Sequence, residues 1–273
     1  MPSYVITGVS RGIGYEFIRQ YSNDPNDTVI GLVRDKTATL RKVSEDPDLN
    51  GRHNIHIVQA DVTDYNALQA AAAETAKITG GSLDYLIANA GLVTTFDAYD
   101  PIGTLGDQPE MLTKTLRELF DVNVIGNIHL FNSFLPLILK GQAKKVITIS
   151  SGLADTVLTN RYDLTSGSLY STSKAAMNMV VAKYSAQYKK DGVLFLALSP
   201  GMVEVGHFKD VTAEQMEAVG GMLAKFVEYA PHFKGPITPE QSVTAMKSVI
   251  ASASIEKGHG GEFISHLGNK QWL

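Results

Sequence analysis

The stretch "SYVITGVSRGIGYEF" (residues 3–17) decides the fold of this chain. An apolar run typical of a buried strand leads into a glycine-rich loop, and an apolar helix start follows it. In this order, Gly8 permits a tight turn, Gly12 lets backbone amides approach a pyrophosphate, and Gly14 lets the helix pack close to the strand. The helix N-terminus would face the negative charge of the ligand. A purely structural glycine turn is the alternative, but the strand–loop–helix context favours dinucleotide binding.

Short apolar runs alternate with longer helical patterns along the rest of the chain. The predicted strands are residues 4–7, 28–33, 54–60, 83–90, 144–150, 193–199 and 261–266. The predicted helices are residues 12–22, 37–45, 64–78, 110–139, 168–190 and 238–253. Most strand runs are continuously apolar, as in strands that are covered on both faces. The alternation predicts an α/β fold, a single doubly wound Rossmann-type domain over residues 1–273, with a seven-stranded, mostly parallel sheet and helices on both faces.

Composition limits the classes of function. The 273 residues are 44% hydrophobic and 19% charged, and the net charge of −4 argues against nucleic acid as a partner. The absence of cysteine rules out disulfides, zinc–thiolate sites and thiol catalysis. His53 and His56 have no acidic partner nearby, so we expect no metal site. No secretory signal is visible and the most apolar stretch, residues 128–139, is too short to span a bilayer, so we expect a cytoplasmic protein with no membrane partner.

Two segments depart from the alternation. Residues 152–167 are long for a connection between a strand and a helix. Residues 202–237 contain Met202, Met216 and Met222, several aromatic residues and a Gly-Gly pair. Long segments of this kind often form lids or binding loops, so we expect a lid or substrate loop at about 202–237.

The end of the second predicted strand, "GLVRDK" (residues 31–36), bears on the choice between NAD and NADP. An acidic residue there would bind the ribose 2′-hydroxyl, but Val33 occupies that position and Arg34 follows it. A guanidinium suits a 2′-phosphate, and Arg11 could add a second positive charge. Asp35 is the competing feature, since it could bind a hydroxyl or cap the next helix. The pattern favours NADP and leaves NAD open.

Asp61 and Val62 follow the third predicted strand, at a carboxyl end where contacts to an adenine ring are expected. A plain helix-cap role for Asp61 is the open alternative. Asp64 could also cap the third helix.

The segment "ANAG" (residues 88–91) ends the fourth predicted strand. Its small residues would let the backbone pass close to the cofactor, and Asn89 would pin the neighbouring strands. A strand-ending turn is the alternative. Together with the preceding segments, it gives the residues that we expect at the phosphate and adenine end of the cofactor, which are Thr7, Gly8, Ser10, Arg11, Gly12, Ile13, Gly14, Arg34, Asp61, Val62, Asn89, Ala90 and Gly91.

The stretch "GSLYSTSK" (residues 167–174) places Tyr170 and Lys174 four residues apart, on one face of a helix. A lysine beside a tyrosine could lower the pKa of the phenol and make it an acid or base. Taken alone, the spacing is weak evidence, because it also arises by chance.

Five motifs, "TGVSRGIG", "ANAG", "NVIG", "SS" and "YSTSK", occur here in an order that resembles the short-chain dehydrogenase/reductase family. The resemblance covers essentially the whole chain. The closing "GEFISHLGNKQWL" also looks like fungal ketoreductases of the norsolorinic acid ketoreductase type.

The resemblance implies roles for three residues. Tyr170 would protonate the carbonyl oxygen during reduction, and Lys174 would depress the tyrosine pKa and bind the nicotinamide ribose. Asn123 would bend the fourth helix and hold a water in a proton relay behind Lys174. Each role is physically sound, because hydride arriving at carbon leaves charge on oxygen that oriented donors stabilise. The alternatives are a solvated helix face for Lys174 and an amide bonded to its own helix for Asn123.

The resemblance also implies a serine at the end of the fifth strand that would hydrogen-bond the substrate carbonyl. In the family it lies about thirteen residues before the tyrosine, but that position here is Val157, which has no hydroxyl. Ser151, at the end of the fifth strand, matches the usual catalytic place, with Ser150 as second choice. The loop that follows therefore carries extra residues, which we expect to overhang the substrate site. Tyr162 and Arg161 in that loop either touch substrate or face solvent.

The segment "SPGMVEV" (residues 199–205) follows the sixth strand, where the resemblance implies a turn beside the nicotinamide made by Pro200, Gly201 and the backbone of Val203. Val205 replaces a frequent threonine, which puts one polar contact to the cofactor in doubt. The lid should follow, and its apolar side chains either line a pocket or pack the lid helix. The candidate substrate residues are Leu153, Tyr162, Phe208, Met222 and Phe226, with Tyr229 beside them.

These features predict an NADPH-dependent carbonyl reductase that runs in reverse as an alcohol dehydrogenase. An NAD-preferring alcohol dehydrogenase, an epimerase or dehydratase with transient cofactor use, and a non-catalytic dinucleotide sensor are the alternatives. A sensor would have no need of Tyr170, Lys174, Asn123 and Ser151 together. The resemblance also implies a homodimer or homotetramer formed through the fourth and fifth helices.

Overall fold

Seven parallel strands form one sheet at the centre of the molecule, in the order β3-β2-β1-β4-β5-β6-β7. The structure, a computed structural model, describes residues 1–206 and 212–273. Chain order reverses between β1 and β4, and ligands of such sheets bind in the crevice at the carboxyl ends there. The predicted doubly wound fold is confirmed. The strands are β1 (Ser3–Thr7), β2 (Thr28–Val33), β3 (Ile55–Gln59), β4 (Tyr85–Ala88), β5 (Lys145–Ile149), β6 (Leu194–Ser199) and β7 (Phe263–Ser265).

Helices lie on both faces of this sheet. They are α1 (Gly12–Tyr21), α2 (Lys36–Glu45), α3 (Tyr65–Thr79), α4 (Ile102–Leu105), α5 (Pro109–Phe120), α6 (Gly126–Ile138), α7 (Thr156–Arg161), α8 (Ser168–Tyr188), α9 (Ala213–Tyr229) and α10 (Pro239–Ser252). Short 3₁₀ turns cover Gly152–Ala154 and Lys189–Asp191. Within the two described ranges, no helix is both long enough and apolar enough to cross a membrane.

Two apolar layers hold the helices to the sheet. On one face, Phe131, Phe134 and Met177 pack from α6 and α8 and are fully buried. On the other, Phe17 and Met246 pack from α1 and α10. All of β1 and all of β6 are buried, so the continuously apolar runs were correctly interpreted as strands covered on both faces.

The predicted helix 110–139 was wrong as a single element. A π-helical turn at Asp121–Ile125 separates α5 from α6, and it carries Asn123. A π turn inserts an extra residue into the helical ladder and is frequent at functional sites. The segment 152–167 also differs from a simple loop, because Asp155 accepts hydrogen bonds from the amides of Val157 (2.8 Å) and Leu158 (3.4 Å) and starts α7.

Candidate active site

The glycine loop after β1 has the tight geometry that a phosphate site requires. Gly8 and Gly12 have φ values of 74° and 57°, in the left-handed region. A Cβ on Gly14 would lie 2.3 Å from the carbonyl oxygen of Gly8, so only glycine fits where α1 meets the loop. The N-cap of α1 is Arg11, whose side chain cannot accept a hydrogen bond. The first amides of α1 are therefore left for an anion such as a pyrophosphate.

Thr7 and Asn89 join the carboxyl ends of β1 and β4. The Thr7 hydroxyl accepts hydrogen bonds from the amides of Asn89 (3.0 Å) and Ala90 (2.9 Å). The Asn89 side chain donates back to the carbonyls of Thr7 (2.9 Å) and Gly8 (3.3 Å). Asn89 thus pins the two strands together, as the sequence predicts, and holds the floor of the crevice.

Arg34 follows β2 and is exposed. Its side chain forms no ion pair or hydrogen bond with the residues that the structure describes. Asp35 is the N-cap of α2, where its carboxylate accepts from the amide of Ala38 at 2.9 Å. Sequence reasoning missed Lys42, whose ammonium donates to the carbonyl of Ser10 at 3.0 Å and lies 4.0 Å from the centroid of the Tyr15 ring. This corner therefore carries positive charge beside the glycine loop.

Asp61 forms a turn after β3 instead of a helix cap. Its carboxylate accepts from the amide (2.9 Å) and hydroxyl (2.8 Å) of Thr63. The cap of α3 is Asp64, which accepts from the amide of Ala67 at 3.0 Å. The helix-cap alternative for Asp61 was wrong, because the cap of α3 lies three residues further on, at Asp64. The neighbouring Val62 carbonyl packs against the start of α6, 2.8 Å from where a Cβ on Gly126 would lie.

Helix α8 brings Tyr170 and Lys174 to the carboxyl ends of β4 and β5. Lys174 is only 5% exposed, so the solvated-face alternative was wrong. Its ammonium donates to the carbonyl of Ile149 at 2.8 Å and lies 5.7 Å from the centroid of the Tyr170 ring. A Cβ on Gly91 would come within 3.3 Å of the same ammonium, so the segment after β4 closes over it.

Burial shifts the pKa of both members of this pair. Burial raises the pKa of Tyr170 to about 12; the Ser151 hydroxyl opposes this rise and the Asp97 carboxylate adds to it. Burial also lowers the pKa of Lys174 to about 8. Lys174 is not among the groups that shift the Tyr170 pKa, because its ammonium is directed at the Ile149 carbonyl. The phenol is therefore protonated at neutral pH. The lowering of this pKa by Lys174 beside a bound cofactor stays a prediction.

The two serines at the end of β5 face different partners. Ser150 is buried, and its hydroxyl donates to the side-chain carbonyl of Asn178 at 2.7 Å. Ser151 lies beside the Tyr170 phenol, whose pKa it lowers, and its Oγ accepts from the amide of Leu153 at 3.3 Å. The geometry therefore favours Ser151 over Ser150 as the partner of the tyrosine.

Asn123 joins the segment after β4 to α8. Its Oδ1 accepts from the amide of Leu92 (2.7 Å), and its Nδ2 donates to the Leu92 carbonyl and to the Ser173 hydroxyl (both 3.0 Å). Ser173 in turn donates to the carbonyl of Tyr170 at 2.7 Å. The alternative of an amide bonded to its own helix was wrong. The π turn aims this side chain across the fold.

The segment after β6 lies over the glycine loop. Ser242 of α10 donates to the Pro200 carbonyl at 2.7 Å and holds the turn. A Cβ on Gly12 would lie 3.3 Å from Cγ1 of Val205, so this apolar side chain covers the loop where a threonine was anticipated. Gly201 has a φ of 81°, and a Cβ there would meet the ring of His266 at 2.8 Å. Val203 pairs with Ile237 in an isolated parallel bridge.

The candidate substrate residues that the structure describes belong to one apolar cluster formed by α7, α9 and the segment after β7. Phe226 (6% exposed) and Trp272 (3% exposed) lie inside it, so the Phe226 side chain packs α9 against this cluster. Tyr162 meets Tyr229 edge-on, with ring centroids 5.3 Å apart. Leu153 and Met222 are partly buried at its edge, while Phe208 lies outside the described residues.

Besides Lys42, sequence reasoning missed Trp272 and Asp97. Trp272 stacks on Phe263 (4.3 Å between centroids), and its indole nitrogen donates to Asp155 at 2.7 Å. Asp97 is fully buried and accepts from the backbone amide of Tyr170 at 2.9 Å. No sequence pattern near Asp97 indicates its role, because its partner Tyr170 lies 73 residues away. Trp272 could have been noticed in the sequence, because it is the single tryptophan of the chain.

Comparison with known proteins gives consistent matches. Residues 3–216 match the short chain dehydrogenase family. The short chain dehydrogenase virK of Hypocrea virens is 58% identical over 273 residues, covering 100% of both chains. The short-chain dehydrogenase/reductase iacC of Pestalotiopsis fici is 53% identical over 274 residues, again covering 100% of both. Among solved structures, the NADPH-bound carbonyl reductase from chicken fatty liver is similar, with a TM-score of 0.75 and 25% identity over 98% of each chain.

Proposed function

Because the chain belongs to the short-chain dehydrogenase/reductase family, we propose that it is an NADPH-dependent carbonyl reductase, reversible as an alcohol dehydrogenase. Membership of this family makes the chain an oxidoreductase that acts on CH–OH or C=O groups. The observation that carries the proposal is the convergence of Tyr170, Ser151 and Lys174 at the carboxyl end of β5, next to an uncapped helix N-terminus.

The protein residues supply positioning and a proton. When bound, the reduced nicotinamide supplies a hydride to the carbonyl carbon and is itself oxidised. The π electrons of the C=O bond move to oxygen, which takes the proton of the Tyr170 phenol. Ser151 donates a hydrogen bond to the same oxygen and stabilises its developing charge. Lys174 holds α8 against β5 and so keeps the Tyr170 phenol beside Ser151.

The preference for NADPH is supported by the charges at the end of β2. Arg34 and Arg11 are both exposed beside the glycine loop, where a 2′-phosphate would be. Asp35, the competing residue, already accepts the amide of Ala38 as a helix cap. The chicken carbonyl reductase with 25% identity binds NADPH, which also supports this preference.

Substrate preference follows from the surroundings of Ser151. Leu153 and Met222 lie at the edge of an apolar cluster next to this end of the sheet. Such surroundings favour a hydrophobic or aromatic ketone over a small polar one.

The test is a screen of ketones and aldehydes that follows NADPH absorbance, with Tyr170→Phe beside the wild type. We expect the substitution to lower kcat by at least about a hundredfold, the lower range for loss of a general acid. Tyr188→Phe, on the same helix but stacked against Tyr184, is the matched control and should keep full activity. An equally active Tyr170→Phe variant would refute the proposal.

A further inference from the structure

We propose that Asp97 is a positioning residue for Tyr170, which caps α8 from a separate segment of the chain and fixes the place of the phenol. The proposal rests on the proposed function only for the role of Tyr170. Its evidence is a set of contacts between the segment after β4 and the first turn of α8.

Helix α8 has no cap of its own. Its N-cap position is Gly167, in the left-handed conformation (φ 65°) and without a side chain. The amides of a first helical turn have no partner inside the helix and need one elsewhere. Asp97 provides two, because its Oδ2 accepts from the Tyr170 amide (2.9 Å) and its backbone carbonyl accepts from the Gly167 amide (2.7 Å).

Other helices of the chain make the same bond locally, and in α2 and α3 the acceptor is also an aspartate. Asp35 accepts the amide of Ala38, and Asp64 accepts the amide of Ala67, in each case three residues after the cap. Tyr170 stands at the corresponding position of α8, three residues after Gly167. At α8 the carboxylate therefore comes from Asp97 in place of the residue that precedes the helix.

Asp97 is fully buried, and hydrogen-bond donors around it compensate the negative charge of its carboxylate. Thr94 donates its hydroxyl to Oδ1 at 2.5 Å, and the positive end of α8 faces Oδ2. The charge also acts on the phenol. The charged groups that face Tyr170 are Lys174 from its own helix and Asp97 from the segment after β4, with the neutral Ser151 at the end of β5. Asp97 thereby favours the protonated phenol, which is the form that donates a proton in reduction.

Both ends of the Tyr170 backbone are tied to the segment after β4. Its amide donates to Asp97, while its carbonyl accepts from Ser173, which is bonded to Asn123 and through it to Leu92. A shift of this segment would therefore move the phenol relative to Ser151 on β5. Small misplacements of a catalytic group lower rates strongly, about a hundredfold for 1 Å.

Three variants separate this role from general stability. Asp97→Ala removes the acceptor, and we expect a fall in kcat of about tenfold to a hundredfold with little change in the KM for NADPH. Asp97→Asn keeps an acceptor for the Tyr170 amide, so most of kcat returns near neutral pH, while the pH profile of alcohol oxidation moves to lower pH because the phenol loses a negative neighbour. Asp64→Ala removes the equivalent bond at α3 and is expected to keep kcat.

Amide hydrogen exchange tests the cap without any substrate. The Tyr170 amide should exchange faster in Asp97→Ala than in the wild type, and close to the wild-type rate in Asp97→Asn. The proposal is overturned if Asp97→Ala keeps wild-type kcat and exchange, or if Asp64→Ala loses as much kcat as Asp97→Ala. If Asp97→Ala does not fold, Asp97→Asn decides. The proposal is then overturned if the pH profile of alcohol oxidation and the tyrosinate titration of Asp97→Asn both match those of the wild type. If the wild type reduces no carbonyl compound, the proposed function fails, and exchange and titration still decide the role of Asp97.

Discussion

The ammonium of Lys174 donates a hydrogen bond to the backbone carbonyl of Ile149 at 2.8 Å. Lys174 belongs to α8, and Ile149 is the last residue of β5, so the bond joins the helix of Tyr170 to the strand that leads to Ser151. The ammonium is almost completely buried, and this burial lowers the pKa of Lys174 from 10.5 to about 8. Burying the charged ammonium of Lys174 therefore costs free energy of folding, although its bond to Ile149 orders the site.

This cost predicts a pH dependence of stability. Between the folded pKa of about 8 and the ordinary value of 10.5, the unfolded chain binds more protons at Lys174 than the folded chain. The contribution of Lys174 to the free energy of unfolding therefore rises with pH through this window. Relative to Lys174→Met, we expect the wild type to gain up to about 3 kcal/mol between these two pH values, measured by urea unfolding. Parallel curves for the two proteins would contradict the buried charge.

The raised pKa of Tyr170 predicts opposite pH profiles for the two directions of the reaction. Reduction uses the protonated phenol, and with a pKa of about 12 that form dominates at neutral pH. Oxidation uses the phenolate, whose fraction rises with pH below the pKa. We expect kcat/KM for alcohol oxidation to rise between about pH 6 and about pH 9, while reduction does not fall through loss of the phenol proton. Oxidation that is independent of pH in this range would exclude the phenol as the base.

Arg34 is expected to set the cofactor preference. Arg34→Ala should raise the KM for NADPH by about tenfold or more, the effect of losing a hydrogen bond to a charged group, and leave the KM for NADH unchanged. Arg41→Ala, which removes an exposed arginine from the neighbouring α2, is the matched control and should alter neither value. Equal kcat/KM values for NADH and NADPH in the wild type would contradict the assignment.

Asp35 offers an independent check on the same preference. Asp35→Asn keeps an oxygen for the Ala38 amide and so preserves the cap of α2. If Asp35 only caps the helix, we expect kinetics with both cofactors to match the wild type. A selective loss of activity with NADH would instead show that the carboxylate binds the ribose hydroxyl.

The parts of the structure that depend on local patterns were predictable from the sequence. The strands follow from continuous apolar runs, and Gly14 follows from its place in the glycine loop, where no Cβ fits. Ser151 could be preferred over Ser150 because the resemblance to the family places its serine there, although β5 itself ends at Ile149.

The parts that depend on distant contacts were not predictable. The π turn exists where Asn123 reaches Leu92, 31 residues away, and no local propensity marks it. Asp97 acts on Tyr170 across 73 residues, and Trp272 meets Asp155 across 117. The Tyr170 pKa also depends on a distant contact, because burial and the Asp97 carboxylate, 73 residues away, both raise it.

Trp272 is expected to couple substrate binding to the packing of α7. Its indole nitrogen donates to Asp155, the residue that caps α7, and its ring stacks on Phe263 at an interplanar angle of 16°. Trp272→Ala should lower the free energy of unfolding by about 3 kcal/mol, as for other buried tryptophans. It should also raise the KM for the ketone more than the KM for NADPH. The reason is that α7 lies along the chain between Ser151 and α8, which carry the proposed substrate site, and is not part of the glycine loop. Trp272→Phe keeps the stacking but not the hydrogen bond, so it should retain most of the stability. An unchanged KM for the ketone in Trp272→Ala, at a temperature where the variant is folded, would show that this cluster supports the fold without shaping the substrate site.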